Sequence, residues 1–410
     1  MAQINVNQLR VTLVCFTAYF IMSSSLAPIG IVLSPLAEQL GTSTAVAARL
    51  FSGLTLGILL GSALAIPWLN RVELRSTFVL VSLMLIAALL SLRLVSSAGA
   101  IRLSLGFVGL ASGMALAAAA SAITAMYSSE RRASMLVVTD ASFSTAGIVM
   151  SFLATQLVGA GWHWSSTYSF VAGVALFMLL LILLSDFPGS AQVSSKVDAA
   201  RGIDSREGET GESSRWPIAV WLAAGALFLY TLGQYSLLWW LPLHLESALD
   251  VPRDEAGTVV SRFWTGMFLA QLFAAWMVLR IGVHRLMLAG ALGGLLGTIP
   301  LLFASELHVL LWLALLWGFA NMGLLKMMIA FATLTMSAPP PKLVPTLLFG
   351  ATSGTAISPL LTSWVVEGFG YAAVLRFGTL CYCVLFVLLC IATWSRKREQ
   401  VASPRQACSS

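Results

Sequence analysis

Long apolar stretches alternate with short polar ones along the chain, and this pattern predicts helices that cross a membrane. A spanning helix needs about 20 predominantly apolar residues. Twelve stretches reach that length, six on each side of a polar segment from Asp186 to Arg215. The predicted spans are Val11–Leu33, Ala47–Leu69, Ser76–Val95, Ile101–Ala125, Met135–Ala160, Thr167–Leu184, Ile218–Leu243, Ala256–Leu279, Leu286–Ala304, His308–Met336, Leu343–Val366 and Ala372–Trp394. We therefore predict an all-α membrane protein with twelve transmembrane helices.

The polar segment divides the chain into two halves with six spans each. It is rich in Gly, Ser and charged residues, which is typical of a solvated linker. The predicted parts are a six-helix bundle over residues 1–185, a linker over 186–216, a second six-helix bundle over 217–396 and a tail over 397–410. The fifth and eleventh spans share a Gly-x-x-x-Ser step, Gly147 to Ser151 and Gly354 to Ser358, which fits internal duplication and close helix packing.

Composition indicates that lipid is the main solvent. Of the 410 residues, 58% are hydrophobic and 10% are charged, whereas a soluble domain carries about 25% charged residues. The net charge of +6 comes from loops rather than from one basic face, so we predict no nucleic-acid partner. The cysteines form no C-x-x-C pair and the histidines fall in or near loops, so we expect no metal and no cofactor. The sequence lacks G-x-x-x-x-G-K-[ST] and G-x-S-x-G motifs, which argues against an enzyme.

The distribution of Lys and Arg predicts the orientation, because cytoplasmic loops carry an excess of both. With the N-terminus inside, sixteen basic residues fall in the cytoplasm: Arg10, Arg71, Arg75, Arg131, Arg132, Lys196, Arg201, Arg206, Arg215, Arg280, Arg285, Lys342, Arg396, Lys397, Arg398 and Arg405. The longest opposite loop, His244 to Glu255, is acidic. We predict that both termini and the linker are cytoplasmic and that the first span is retained rather than cleaved as a signal peptide.

The layout resembles the major facilitator superfamily, and two loops strengthen the resemblance. That family carries a pattern near Asp-Arg-x-Gly-x-x-Arg after the second and eighth spans. Here the second copy reads Arg280-Ile-Gly282-Val-His-Arg285, and the first has Arg71 and Arg75 but Asn70 in place of the acid and no glycine. The resemblance implies gating loops at these positions. A basic loop anchor without a gating function is the alternative.

Further stretches resemble TsgA-type transporters of that superfamily, a group similar to the fucose, galactose and glucose proton symporters. The stretches are Thr139–Gly147, Gly233-Gln234 followed by Trp240-Leu-Pro242, Asp254–Trp264 and Pro340–Val344. The resemblance covers most of the chain. It implies two pseudo-symmetric six-helix bundles that work by alternating access, in the cytoplasmic (inner) membrane of a bacterium. We expect a monomer.

Asp140 is the acid that lies well inside a predicted span, and an ionisable residue at that depth is a functional candidate. It begins a stripe of small or polar residues at helical spacing that continues with Ser144, Gly147 and Ser151 and should face protein or water. One interpretation makes Asp140 the proton carrier. The other makes it a fixed partner for a basic residue such as Arg131 or Arg132.

Lys326 and Arg262 are the corresponding cations in the second half. In the superfamily the first, fourth, seventh and tenth spans line the cavity, so the resemblance implies that Lys326 in the tenth span faces it. Two cations would favour an anionic solute. Alternatively, they balance the charge of Asp140 across the interface between the halves.

Neutral polar residues complete the predicted substrate site. Tyr230 and Gln234 lie one turn apart in the seventh span and could bind hydroxyls or carbonyls. Hydrogen bonding between helices is the alternative. Tyr19 in the first span and Asn321 in the tenth are further candidates, although Asn321 lies about 140° around the helix from Lys326, so both cannot face the cavity centre.

Together these features predict a secondary active transporter that couples a small solute to protons. A proton-coupled efflux antiporter is one alternative, which the absence of a Gly-Pro pattern in the fifth span disfavours. A membrane solute sensor that does not transport is another. A sensor would be supported by a large signalling domain, and the linker and tail are short.

The topology can be tested with reporter fusions. Fusions after Arg201 and after Arg398 should both report a cytoplasmic position, and a fusion after Asp250 should report an external one, because basic loops stay inside. An external signal from the fusion after Arg201 would rule out the twelve-span arrangement.

Overall fold

The computed structural model describes residues 6–127, 129–187, 216–321, 323–336 and 343–406, which form helices and short connections without a β-strand. The first six spans are Val6–Leu26 continued by Ile29–Leu40 (span 1), Thr44–Leu50 with Ser52–Leu69 (span 2), Leu74–Leu94 (span 3), Ala98–Met126 (span 4), Ser129–Gly159 (span 5) and Ser166–Leu183 (span 6). The second six are Ile218–Ala248 (span 7), Thr258–Ile281 (span 8), Val283–Thr298 with the 3-10 turn Pro300–Leu302 (span 9), Leu307–Ala320 with Leu324–Thr333 (span 10), Leu343–Phe369 (span 11) and Tyr371–Gln406 (span 12). A four-residue helix, Arg253–Ala256, precedes span 8. Most of the predicted linker and the loop at 337–342 lie outside the described residues.

The spans confirm the predicted twelve-helix membrane fold. Among the described residues, eleven helices are long and apolar enough to cross a membrane. The remaining one, span 8, has 24 residues and includes Arg262 and Arg280. At 1.5 Å per residue it is about 36 Å long, which exceeds the hydrocarbon thickness of a bilayer. Because the number of crossings is even, span 1 begins and span 12 ends on the same side, which we call the terminal end; the other side is the opposite end.

Four spans consist of two segments where the sequence pattern predicts continuous helices, and the breaks in spans 1 and 10 bear on the site. Span 1 breaks at Pro28, which has no backbone N–H and cannot continue the helical hydrogen bonds. Span 10 breaks between Ala320 and Leu324, where Gly323 adopts a left-handed conformation with φ +69°. Span 12 continues past its predicted end at Trp394 as far as Gln406, because Lys, Arg, Glu and Gln favour helix even where they end an apolar run.

Within each half, glycines let neighbouring helices approach closely. On spans 2 and 4, Gly61 faces the backbone of Leu110 and Gly109 faces the backbone of Leu54, with no room for a methyl group at either glycine. Their counterparts, spans 8 and 10, repeat the arrangement: a methyl group on Gly266 or on Gly318 would overlap a carbonyl oxygen of the other helix. Small residues drive such close packing in membranes. The repetition supports the pseudo-symmetry of the two bundles.

Substitution of Gly109 tests this packing. Gly109→Ala should lower the melting temperature, since an added methyl group overlaps the Leu54 carbonyl and overpacking costs about 1–3 kcal/mol. Gly106→Ala on the same helix is the control, because the nearest atom to its new methyl carbon lies 3.8 Å away. Thermal unfolding of both purified variants gives the answer. Equal melting temperatures would contradict the close approach of spans 2 and 4.

Candidate functional site

The polar stripe on span 5 forms the seam between the two halves. The ring of Trp264 on span 8 lies directly over Gly147, where any side chain would overlap it. One turn before, Phe143 makes an edge-to-face contact with the same ring, with centroids 5.6 Å apart. At the far end of the stripe, Thr155 packs against Gly257 at the start of span 8. The stripe therefore faces the second half and not lipid.

Asp140 and Lys326 form an ion pair across this seam. The Lys326 ammonium contacts the Oδ2 atom of Asp140, and the two side chains remain 40% and 25% exposed, respectively. The structure thus favours the alternative in which Lys326 balances the charge of Asp140 across the interface between the halves. The alternative partners Arg131 and Arg132 have side chains outside the described part of the structure. The pair is charge-balanced and still accessible to solvent.

The break in span 10 fixes the position of Lys326, and Asn321 stabilises that break. The Asn321 side chain donates to the Trp317 carbonyl at 2.6 Å and accepts from the Tyr382 hydroxyl on span 12 at 2.9 Å. Asn321 is fully buried and lies away from the seam, whereas Lys326 faces the seam. These two hydrogen bonds of Asn321 hold the end of the first segment of span 10, and its role in substrate binding stays a prediction.

Arg262 does not join the ion pair. It is exposed on span 8, two residues before the buried Trp264 that faces span 5. At 100° per residue it lies about 160° around the helix from Trp264, on the face that carries the exposed Leu269 and Trp276. We infer that its guanidinium reaches towards the membrane surface, as long basic side chains near helix ends do. The sequence does not show how span 8 is rotated about its own axis, and it therefore does not predict which way Arg262 faces.

Span 7 presents polar groups on two faces. Tyr230 is buried, and its ring lies edge-to-face against Tyr382 on span 12 of the same half. The Tyr230 hydroxyl has no partner among the described residues. Gln234 is buried one turn further along. On a different face, Tyr235 contacts Trp239, whose indole donates to the Leu26 carbonyl of span 1 at 3.1 Å. The kink at Pro28 leaves that carbonyl at the end of a helix segment, so Trp239 joins the halves there.

The predicted residue Tyr19 lies on span 1, half-buried and packed against the apolar core. Span 1 packs along span 5, and Ser142 of span 5 donates to the carbonyl of Phe16 at 2.7 Å, one turn before Tyr19. Tyr19 thus lies within the first half beside the helix that carries Asp140.

Two reciprocal ion-pair contacts join the halves at the opposite end. Arg49 of span 2 contacts Glu367 of span 11 and donates to the Ser363 hydroxyl at 3.1 Å. In the reverse sense, Arg253 of the second half contacts Glu38 of the first. We call these contacts the Arg49 clamp and the Arg253 clamp. Contact with Glu38 raises the pKa of Arg253, so this guanidinium stays charged at physiological pH.

Further polar contacts accompany the clamps. Arg253 also lies 3.4 Å from Glu246 of its own half, and Glu246 accepts from Ser34 of the first half at 2.9 Å. The hydroxyls of Thr44 and Tyr371 lie 2.7 Å apart across the seam. Close contacts thus hold the opposite end together. From the sequence, this acidic loop indicates only the orientation of the chain, because residues 200 or more positions apart give no local signal of pairing.

Comparison with known proteins identifies the family. The family model of the Major Facilitator Superfamily matches residues 15–349 and 223–407. The chain belongs to the Major Facilitator Superfamily. It is 25% identical to the protein TsgA of Shigella flexneri over 97% of this chain and 98% of the relative. It is 23% identical to a TsgA homologue of Buchnera aphidicola subsp. Schizaphis graminum, covering 96% of this chain and 99% of the relative.

The fold of this superfamily member is shared with solved transporters. The crystal structure of a D-xylose–proton symporter superimposes with a TM-score of 0.72 and 15% identity, covering 92% of this chain and 97% of the symporter. The predicted resemblance to TsgA-type transporters is thereby confirmed. The protein is a multi-pass membrane transporter that moves a small solute by secondary active transport. The sensor and efflux alternatives are not favoured.

The loops that the family resemblance marks as gating loops make contacts within their own halves. Arg75 donates to the Leu183 carbonyl at the end of span 6 at 3.4 Å, beside a similar contact of 2.8 Å from Arg10 to Leu184. Such contacts satisfy carbonyls at a helix C-terminus. In the second loop, Arg280 lies over the Trp276 ring at 4.4 Å.

Gly282 ends span 8 with φ +79°, a conformation that favours glycine. Arg71 and Arg285 are exposed. The gating role of these loops remains a prediction.

The Arg49 clamp can be tested with a cysteine at Ser363, which is fully buried beside Arg49. In a Ser363→Cys background, Arg49→Glu should speed maleimide labelling of the purified protein. Replacing attraction by repulsion changes an exposed pair by about 1 kcal/mol, or roughly fivefold. Adding Glu367→Arg should restore slow labelling. A cysteine at the buried Ser358, which contacts Ser236 within the second half, is the control and should not respond. Unchanged labelling in Arg49→Glu would show that this contact does not hold the opposite end closed.

Proposed function

We propose that the transporter takes up its solute together with protons and that Asp140 is the proton-binding residue. The observation that carries this proposal is the Asp140–Lys326 ion pair, which joins the two halves within the spans. The D-xylose–proton symporter with the same fold supports proton coupling. We further propose the bacterial inner membrane, with the terminal end in the cytoplasm, since the TsgA relatives are bacterial and the basic residues cluster at that end.

The physical reason for coupling is the difficulty of separating two charges inside a membrane. A charged residue at the centre of a span costs about 3 kcal/mol or more. Breaking a buried pair by removing one partner costs roughly 3–5 kcal/mol, and partial exposure reduces that figure here. If Asp140 takes up a proton first, the carboxyl group becomes neutral and leaves Lys326 easily. Protonation therefore favours separation of spans 5 and 10.

The conformation gives this coupling a direction. Because both clamps hold the opposite end together, we infer that solvent reaches the partly exposed pair from the terminal end. With the terminal end in the cytoplasm, Asp140 is deprotonated and paired in the inward-facing state. It gains a proton in the state that opens to the outside. This order moves protons inward down their gradient and favours uptake.

The substrate site that we propose lies between the halves near this pair. Lys326 contributes the charge, and Gln234 and Tyr19 contribute neutral polar groups. Tyr230 packs against Tyr382 of its own half and is therefore not included in this site. We propose that the transporter works as a monomer and without a nucleic-acid partner or enzymatic step.

Labelling of a cysteine at position 363 tests the proton role without knowledge of the solute. In Ser363→Cys protein, the labelling rate relative to that of the same protein with Asp140→Asn should rise as the pH falls from 8 to 6, because protonation of Asp140 releases Lys326 and allows the opposite end to open, whereas the falling thiolate fraction slows both proteins equally. With Asp140→Asn added, labelling should already be fast at pH 8 and should lose the pH dependence that Asp140 causes. Asp186→Asn is the control, since this acid lies beyond span 6 and bonds through its backbone.

A fixed structural pair predicts a different result. Asp140→Asn would then lower the melting temperature while labelling kept its wild-type dependence on pH. That outcome would exclude Asp140 as the proton-binding residue.

A further inference from the structure

Lys326 is left without a compensating charge whenever Asp140 carries a proton. Among the described residues, the Asp140 carboxylate is the one acidic group in contact with Lys326. A lone ammonium in the spans is as costly as a lone carboxylate. Protonation of Asp140 thus neutralises its carboxylate but leaves the Lys326 ammonium uncompensated. A group other than Asp140 must then balance the positive charge.

Two buried hydrogen-bond donors, one and two turns along span 5 from Asp140, also lack partners among the described residues. The hydroxyl of Ser144, one turn from Asp140 on the same face, is fully buried and makes no hydrogen bond to any described residue. The indole N–H of Trp264, whose ring lies over Gly147 on that stripe, is likewise buried without an acceptor. Most buried polar groups in proteins are hydrogen-bonded, so unpaired donors point to an acceptor that joins them.

We propose that the solute is a small organic monoanion whose carboxylate takes the place of Asp140 on Lys326. The proposal rests on the proton role of Asp140. The steps balance: Asp140 binds one proton, its contact with Lys326 breaks, and the substrate carboxylate forms the new contact. The seam keeps the same net charge before and after. The Ser144 hydroxyl and the Trp264 indole N–H can donate hydrogen bonds, and the carboxylate oxygens of the substrate can accept them.

Solutes of other charge fit this site less well. A neutral sugar would leave Lys326 uncompensated once Asp140 is protonated. A cationic solute would add a second positive charge beside Lys326 and would be repelled. A monoanion keeps the seam neutral in both states, and its transport with one proton moves no net charge across the membrane.

The titratable groups around Asp140 determine how a pH experiment is interpreted. The described ones on and beside the helices packed along this half of span 5 are Arg10, Cys15, Tyr19, Tyr127, Arg280 and Lys326. Of these, Lys326 is the one in contact with the Asp140 carboxylate. Proton uptake that accompanies anion binding is therefore assigned to Asp140 if it disappears in Asp140→Asn.

The test is binding of lactate and gluconate to purified full-length protein, with glucose and choline as the neutral and cationic comparisons. At pH 7.5, Asp140→Asn should bind one of the carboxylates more tightly than the wild type, by roughly 5- to 150-fold, the usual range for coupled sites. Wild-type affinity should rise by up to about tenfold per unit of falling pH, while Asp140→Asn shows no such dependence. Lys326→Gln should weaken binding at least about tenfold. Arg376→Gln, an exposed cation elsewhere in the second half, should change nothing.

Two outcomes would overturn the proposal. One is binding of glucose or choline with no binding of either carboxylate. The other is equal carboxylate affinity in the wild type and in Asp140→Asn. If Asp140→Asn fails to fold, the pH dependence of wild-type binding and its loss in Lys326→Gln decide instead. Labelling at position 363 reports the proton role separately, so failure of the anion class is distinguishable from failure of proton coupling.

Discussion

A charge in the apolar interior of a membrane is stable only beside a compensating charge, and this transporter places one such charge on each side of its central seam. Asp140 belongs to the first half and Lys326 to the second, so neither half can move away from the other without exposing a lone charge. The state of this pair is thereby tied to the relative position of the halves. Any ligand that neutralises either partner shifts that balance, and a proton is the smallest such ligand.

The transporter uses two kinds of contact for two purposes. Inside each half, backbones meet at glycines such as Gly109 and Gly318, where no side chain can be inserted and little adjustment is possible. Between the halves, the contacts at the opposite end include ion pairs and hydrogen bonds of partly exposed residues such as Arg49 and Arg253, beside close packing of Gly257 against Thr155. Exposed ion pairs contribute about 0–1 kcal/mol each. These ion pairs therefore add little to the cost of opening the seam.

The sequence predicted the parts of the structure that depend on local pattern. Twelve apolar stretches gave the spans, and the helical spacing from Asp140 to Ser151 correctly indicated a buried face. The pairing of Asp140 with Lys326 remained one of two alternatives, because the partner lies 186 residues away and a single sequence carries no information about contacts at that range. The clamps were missed for the same reason. Arg262 was grouped with Lys326 because both are cations in spans, although helix rotation places it on another face.

The break at Gly323 divides span 10 into two segments, one that packs within its own half and one that carries the charged residue of the seam. The first, Leu307–Ala320, carries Gly318 and is locked against span 8, whereas the second, Leu324–Thr333, carries Lys326. The left-handed Gly323 turns the chain between them, and the second segment is anchored by its buried residues Leu324, Met328 and Phe331. Lys326 is thus held by its own half while it contacts Asp140 of the other, so a displacement of this segment is transmitted directly to the ion pair between the halves.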